Sequence, residues 1–173
     1  MPAKIPATAV SGGGMSAPEA AGYTIAPARP RDPGPLALLQ ASQALMRRLY
    51  KPEENNFLQI EELEGPDIRF FAAHDAAGTP LGCCALQVKA GYGEVKSLFT
   101  AEEARGRGVA LALLRRVEEA ARAEGLPLLR LETGEALEAA CRLYERQGFT
   151  RCGVFGSYAD NGVSVFMEKR LPA

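Results

Sequence analysis

Arg105-Gly106-Arg107-Gly108-Val109-Ala110, RGRGVA, stands between a strand-like apolar run over residues 93–100 and a helix-like run that closes at Gly125. Gly106 and Gly108 carry no Cβ to hold a ligand away from the main chain. A helix that starts here adds its unpaired amides and the positive end of its dipole, each such contact contributing about 0.3–1 kcal/mol toward an anion. The string reads as a cradle for a phosphate or as a surface turn with two capping glycines, and the rest of the chain has to decide between them.

Composition narrows the choice. The chain has 173 residues, 47% of them hydrophobic, enough for one domain with a core of its own. Twenty basic residues face twenty-one acidic ones, so there is no overall charge footprint for nucleic acid or an anionic membrane. Cys83 and Cys84 are adjacent in an apolar run, and Cys141 and Cys152 lack metal-ligand spacing; buried thiols in a reducing compartment are expected, with no metal. His74 is the one histidine, which leaves little room for a histidine-dependent triad. No apolar run approaches the roughly 18 residues that a membrane-spanning helix needs, and a soluble, cytoplasmic protein is expected.

Residues 1–21, rich in Ala, Pro, Gly and Ser, show neither helical nor strand period and read as a disordered N-terminal tail, with a single domain over 22–173. Residues 23–27 form a first strand. Asp32-Pro33 opens a helix to about Tyr50, with Leu38, Ala41, Leu45 and Leu49 on one face. The acidic segment 51–64 is a short helix or loop, either a solvated face or a wall of a site that favours a cation. Strands follow over 68–73, 81–88 and 94–100, the second apolar on both faces. A helix over about 107–124 is marked by Ala110, Leu113, Val117 and Ala121, with Gly125 as its stop. Then come a strand at 128–132, a helix at 135–147 and strands at 149–154 and 163–169. This order predicts an α+β or mixed α/β fold with a parallel crossover.

Arg105, Gly108 and Ala110 spell R-x-x-G-x-A between strand and helix, and Leu143, Tyr144, Gly148 and Phe149 spell L-Y-x-x-x-G-F further on. Together and in this order they resemble the GNAT superfamily of acetyl-CoA-dependent N-acetyltransferases, over residues 23–171. The resemblance implies a central mixed, largely antiparallel sheet of six to seven strands with about four flanking helices, in which two parallel strands part around the thioester arm. It further implies that the amides of Arg107, Gly108, Val109 and Ala110 hold the pyrophosphate, with Arg105 and Gly106 shaping the loop. Leu98 would meet the acetyl carbonyl through its N–H, and Phe99 and Thr100 would pair with the pantetheine arm. Many members carry Asn where this chain has Leu137.

On the same resemblance Tyr144 protonates the departing thiolate, and Glu94 coincides with the glutamate that some members use as general base; Glu94 reads equally as a strand-end charge beside Lys96. An amine of pKa about 10 must lose a proton before it attacks, so a carboxylate suits the task. The expected reaction is direct acetyl transfer to a small-molecule primary amine in a ternary complex. Tyr50, Glu53, Phe155 and Tyr158 are candidates for the acceptor pocket; the aromatics read equally as packing against the first helix or a second subunit, since family members often form homodimers. A non-catalytic acyl-CoA-binding protein and a protein or peptide N-acetyltransferase remain alternatives. Nucleic acid and membrane partners are not expected.

Overall fold

The computed structural model describes residues 22–173, and the tail expected over 1–21 lies outside the described residues. Seven strands form one sheet: β1 (Tyr23–Pro27), β2 (Ile68–Asp75), β3 (Pro80–Lys89), β4 (Tyr92–Thr100), β5 (Leu128–Gly134), β6 (Thr150–Arg151) and β7 (Ser164–Arg170), in the order β1-β2-β3-β4-β5-β7-β6. Only β4 and β5 pair in parallel; the other neighbours are antiparallel. Four α-helices flank the sheet: α1 (Pro33–Leu49), α2 (Ile60–Leu63), α3 (Val109–Ala123) and α4 (Glu138–Arg146).

The continuous apolar run of β3 is covered on both faces, and its adjacent cysteines show how. Successive strand side chains point to opposite sides. Cys83 and Ala85 therefore pack with Leu38 and Leu39 of α1 and Leu63 of α2. Cys84 and Leu86 pack with Leu113, Leu114 and Val117 of α3, in a cluster that continues to Leu129, Leu131, Tyr144 and Met167. Each fully buried leucine contributes about 1.5–3 kcal/mol, and α3 alone buries two.

Two expected helices differ from the structure in instructive ways. On α1 the buried side carries Pro35, Leu38, Leu39 and Gln43, with Met46 and then Tyr50 continuing it along the cleft; Leu38 is in the core as expected, while Ala41 is exposed and Leu49 is 42% exposed. The helix is turned because its second half walls a cleft, where Ser42 and Gln43 are tolerated, and does not cap the core. Helix α4 begins three residues later than the periodicity suggests. No Ser, Thr, Asp or Asn stands at its N-cap, Leu137, and the preceding residues form a turn in which the Leu137 amide donates to the Gly134 carbonyl at 2.9 Å.

Candidate active site

The parting of β4 and β5 makes the site. They pair only at Gly93 with Leu129 and at Glu94 with Arg130. Beyond these residues β4 follows β3 as far as Thr100 opposite Gly82, and β5 follows β7 to its end at Gly134. Within β4, Ser97 and Leu98 together oppose the single residue Cys84, and Ser97 has φ 55°. This bulge bends the strand and takes the extra residue out of the ladder. A cavity of about 130 Å³ occupies the opening, bounded by α1, residues 54–58, Val95 to Leu98 of β4, Glu132 to Gly134 of β5, and Leu137, Ala140 and Tyr144.

The end of β4 leads through a 3₁₀ turn (Glu102–Ala104) into RGRGVA. Gly106 and Gly108 both have φ 78°, and Gly108 is the N-cap of α3. Among the described residues no amide from 106 to 111 donates a hydrogen bond; the first in the helix is Ala112, to the Gly108 carbonyl at 3.0 Å. A Cβ on Gly106 would meet no atom within 4 Å, and one on Gly108 only the Tyr23 hydroxyl at 3.8 Å. Arg105 and Arg107 are exposed and form no ion pair among the described residues. Open space, unpartnered donors and positive charge converge here, which fits the diphosphate of a coenzyme A ester.

Polar side chains gather on the side of the sheet toward α1. Glu94 and Lys96 point the same way along β4 and are 2% and 9% exposed. The Lys96 ammonium donates to the Tyr158 hydroxyl at 2.6 Å, to the Asn56 carbonyl at 3.4 Å and to Glu94 Oε1 at 3.4 Å, and the Tyr158 hydroxyl donates to the same Glu94 oxygen. These bonds offset the desolvation of the two buried charges. Burial, then the charge and hydrogen bond of Glu94, push the Tyr158 phenol far above its usual range, so it stays a donor. Phe155 packs edge-on to Tyr92, Tyr158 and Phe166, centroids 5.3–5.8 Å apart. Glu132 lies on β5 at the cleft wall and accepts the Ser164 hydroxyl at 3.0 Å. Burial raises its carboxyl pKa, opposed by Ser164, Lys96 and Asn56.

Tyr144 reaches the cleft from α4. Its ring is 6% exposed and meets Phe149 at 5.7 Å and 63°. No hydrogen bond among the described residues engages its hydroxyl, and burial raises the phenol well above its usual value. Tyr50 closes the opposite end, its ring against Gly134 at a distance that leaves no room for a Cβ. Its hydroxyl is buried without a hydrogen bond of normal geometry, the Ala136 backbone beside it. Burial drives the Cys83 thiol up to about 12 and that of Cys84 higher than usual as well; Cys141 and Cys152 are also raised. His74 sits on β2 near Gly34, outside the cleft lining.

Of the residues singled out in the sequence, Tyr50, Leu98 and Tyr144 line the cleft. Phe99 is partly buried on the α1 side, and Thr100 ends β4 opposite Gly82. Glu53 is exposed outside the cleft, where its neighbour Glu54 forms part of the wall. Phe155, Tyr158 and Glu94 stand behind the wall and fix Lys96 within it. Glu132, Lys96, Asn56 and Ser164 were not singled out for the site. The available signal was weak: charged residues at alternate positions of otherwise apolar strands, as in Leu129-Arg130-Leu131-Glu132.

The sequence profile of the "Acetyltransferase (GNAT) family" matches residues 37–149. The chain is 41% identical over 150 residues to "IAA acetyltransferase" of Azospirillum brasilense, covering 86% of this chain and 97% of that one. It is 38% identical over 130 residues to the N-acetyltransferase YsnE of Bacillus subtilis, itself uncharacterized, covering 73% and 85%. A Klebsiella pneumoniae structure described as an acyl-CoA N-acyltransferase superposes with a TM-score of 0.74 at 32% identity, covering 87% of this chain and 99% of that one.

Proposed function

The chain belongs to the GNAT acetyltransferase family, and from that premise we propose that it moves acetyl from acetyl-CoA to the nitrogen of a small primary amine by direct attack in a ternary complex. The observation that carries this reading is the parting of β4 and β5 beyond Glu94, which joins the two faces of the sheet in one cleft. Acetyl-CoA supplies an activated thioester carbonyl and a thiol leaving group. The amides of residues 106–111 with Arg105 and Arg107 suit its diphosphate. The bulge at Ser97 and Leu98 turns main chain toward the opening, where an N–H can stabilise charge developing on the carbonyl oxygen.

Tyr144 lines the cleft from the α3 side and stays protonated because it is buried, which supports its role as the acid that gives a proton to the departing sulfur. The acceptor enters from the α1 side, between Tyr50 and the polar cluster. Direct transfer is supported by the cysteines: every thiol is raised by burial, so none is poised as the thiolate that an acyl-enzyme would need. A cavity of about 130 Å³ has room for an alkylammonium group beside Glu132. A homodimer and a cytosolic location belong to the same proposal.

The test is thiol release from acetyl-CoA with propylamine, putrescine, glycinamide and glucosamine, together with IAA, after which the Azospirillum relative is named. Acceptor-dependent release with at least one amine, and an N-acetyl product by mass spectrometry, is expected. Acetyl-CoA binding without acceptor-dependent release, or turnover of IAA alone, would refute the amine reading.

A further inference from the structure

Two carboxylates face the α1 side of β4 and β5, and they differ in what engages them. Glu94 is 2% exposed, takes hydrogen bonds from Tyr158 and Lys96, and does not line the cleft. Glu132 lines it. The pairing of Glu94 with Arg130, carried two residues further, would set Lys96 directly opposite Glu132. The strands have parted by then, and no ion pair joins the two; Lys96 turns back to Glu94 and Tyr158. Glu132 is left at the opening with the Ser164 hydroxyl on one oxygen and the Asn56 amide beside it.

We infer that Glu132, and not Glu94, receives the ammonium group of the acceptor and takes the proton that acetylation must remove; this rests on the amine reading above. Glu94 is then a positioning residue that holds Lys96 and Tyr158 in the wall. The charges suit the ligand: Glu94, Lys96 and ionised Glu132 sum to one negative charge, and one ammonium completes two opposite pairs. Glu132 accepts one proton from nitrogen and becomes a carboxylic acid. The freed lone pair forms the C–N bond as the C–S bond breaks. Tyr144 gives its hydroxyl proton to sulfur, the second nitrogen proton restores the phenol, and Glu132 returns its proton to solvent as the amide and thiol leave. Base and acid reach the reacting carbon from opposite faces of the sheet, because Glu132 projects on the α1 side and Tyr144 belongs to the cluster on the α3 side. Burial raises the Glu132 carboxyl and strengthens it as a base. The groups around it are Glu94 and Lys96 from β4, Ser164 from β7, Asn56 and Glu54 from the loop after α1, and Tyr50, Tyr144 and Tyr158.

The experiment is the pH profile of kcat/KM for an amine that the wild type turns over. Glu132→Gln is expected to lose about 10²-fold or more at pH 7, with the loss shrinking as pH rises toward the pKa of the amine, because the acceptor then arrives already deprotonated. Glu132→Asp should restore part of the rate. Ser164→Ala removes a hydrogen bond to the ionised form and should move the acid limb to higher pH with the fold intact. A loss in Glu132→Gln that is equal at every pH, or an acid limb unmoved in Ser164→Ala, overturns the inference. A readout that needs no turnover is the ¹³C carboxyl resonance of Glu132 in the coenzyme A complex. It should shift with butylammonium and not with butanol, and an unmoved resonance also overturns the inference. A resonance that responds while no amine is acetylated refutes the amine-acetylation reading and leaves the ammonium contact standing.

Discussion

Replacing Tyr144 by phenylalanine deletes one oxygen from the wall of the cleft and leaves the ring in place. The ring is 94% buried by difference from its 6% exposure, and its edge contact with Phe149 at 5.7 Å does not involve the hydroxyl. That hydroxyl has no hydrogen-bond partner among the described residues, so its removal breaks nothing in the fold. The expected change in stability is below about 1 kcal/mol, or about 2–4 °C in Tm for a domain of this size. If the hydroxyl protonates the leaving sulfur, its loss should cost about 10²–10⁴ in rate, equivalent to about 3–5 kcal/mol on the barrier. The two effects are well separated in magnitude. Tyr144→Phe should therefore melt like the wild type, bind acetyl-CoA with the same affinity by calorimetry, and release thiol at least 100-fold more slowly in single turnover. Because burial raises the phenol, no loss of rate from its ionisation should appear up to about pH 10 in the wild type. A variant with a single-turnover rate within about threefold of the wild type would refute the role of Tyr144.

Gly108→Glu forces a side chain onto a residue with φ 78° at the N-cap of α3 and sets a negative charge among the amides of residues 106–111; calorimetry should find no acetyl-CoA binding, and an unchanged Kd would remove the diphosphate from this turn. Gly134→Ala puts a Cβ into the Tyr50 ring, close to its hydroxyl and with Cε1 at 3.0 Å. The ring must swing away, which should raise KM for the acceptor and leave acetyl-CoA affinity unchanged; unaltered kinetics and Tm would show that Tyr50 does not shape the acceptor site. Glu132 also predicts a pH-dependent stability effect. Its folded pKa is raised, so the native state holds the proton more tightly than the unfolded chain; the associated stability is present below the usual carboxylate value of about 4.3 and lost as pH rises through the folded value. Glu132→Gln should then melt higher than the wild type at pH 7, with the advantage gone below about pH 4, and an equal Tm at both pH values would refute a buried charge there.

The antiparallel half of the fold is legible because each of its signals is local. The alternation of residues 23–27, the apolar run of β3 and the turn glycine Gly91 just before β4 act over a few residues, and the strands appear where they indicate. The amphipathic stripe of α3 is equally local, since Leu113, Val117 and Ala121 meet one continuous core. Helix α1 shows where locality fails. Its apolar residues describe more than one face, and what selects Pro35, Leu39 and Gln43 over Ala41 and Leu49 is the cleft beneath its second half, which no property of residues 33–49 encodes. RGRGVA and L-Y-x-x-x-G-F stand out because turn conformation and helix position are also short-range, and they mark the turn that opens α3 and Tyr144 at the cleft.

Glu132 belongs to a different class of residue. Its chemistry depends on Lys96, more than thirty positions away, being held out of ion-pair contact with it, and that depends on where two parallel strands separate. In an unbroken ladder the register of Glu94 with Arg130 would bring Lys96 and Glu132 side by side, and each would neutralise the other. The same parting that opens room for a thioester leaves Glu132 without its cross-strand partner, while Glu94, Tyr158 and the Asn56 carbonyl satisfy Lys96. On the proposed reading, opening the sheet does two things at once: it admits the donor and it uncovers a carboxylate. A substitution that extended the pairing by two further residues, to Lys96 opposite Glu132, would be expected to extinguish both, and on the proposed reading the bulge at Ser97, with its left-handed φ of 55°, helps to keep the cleft open.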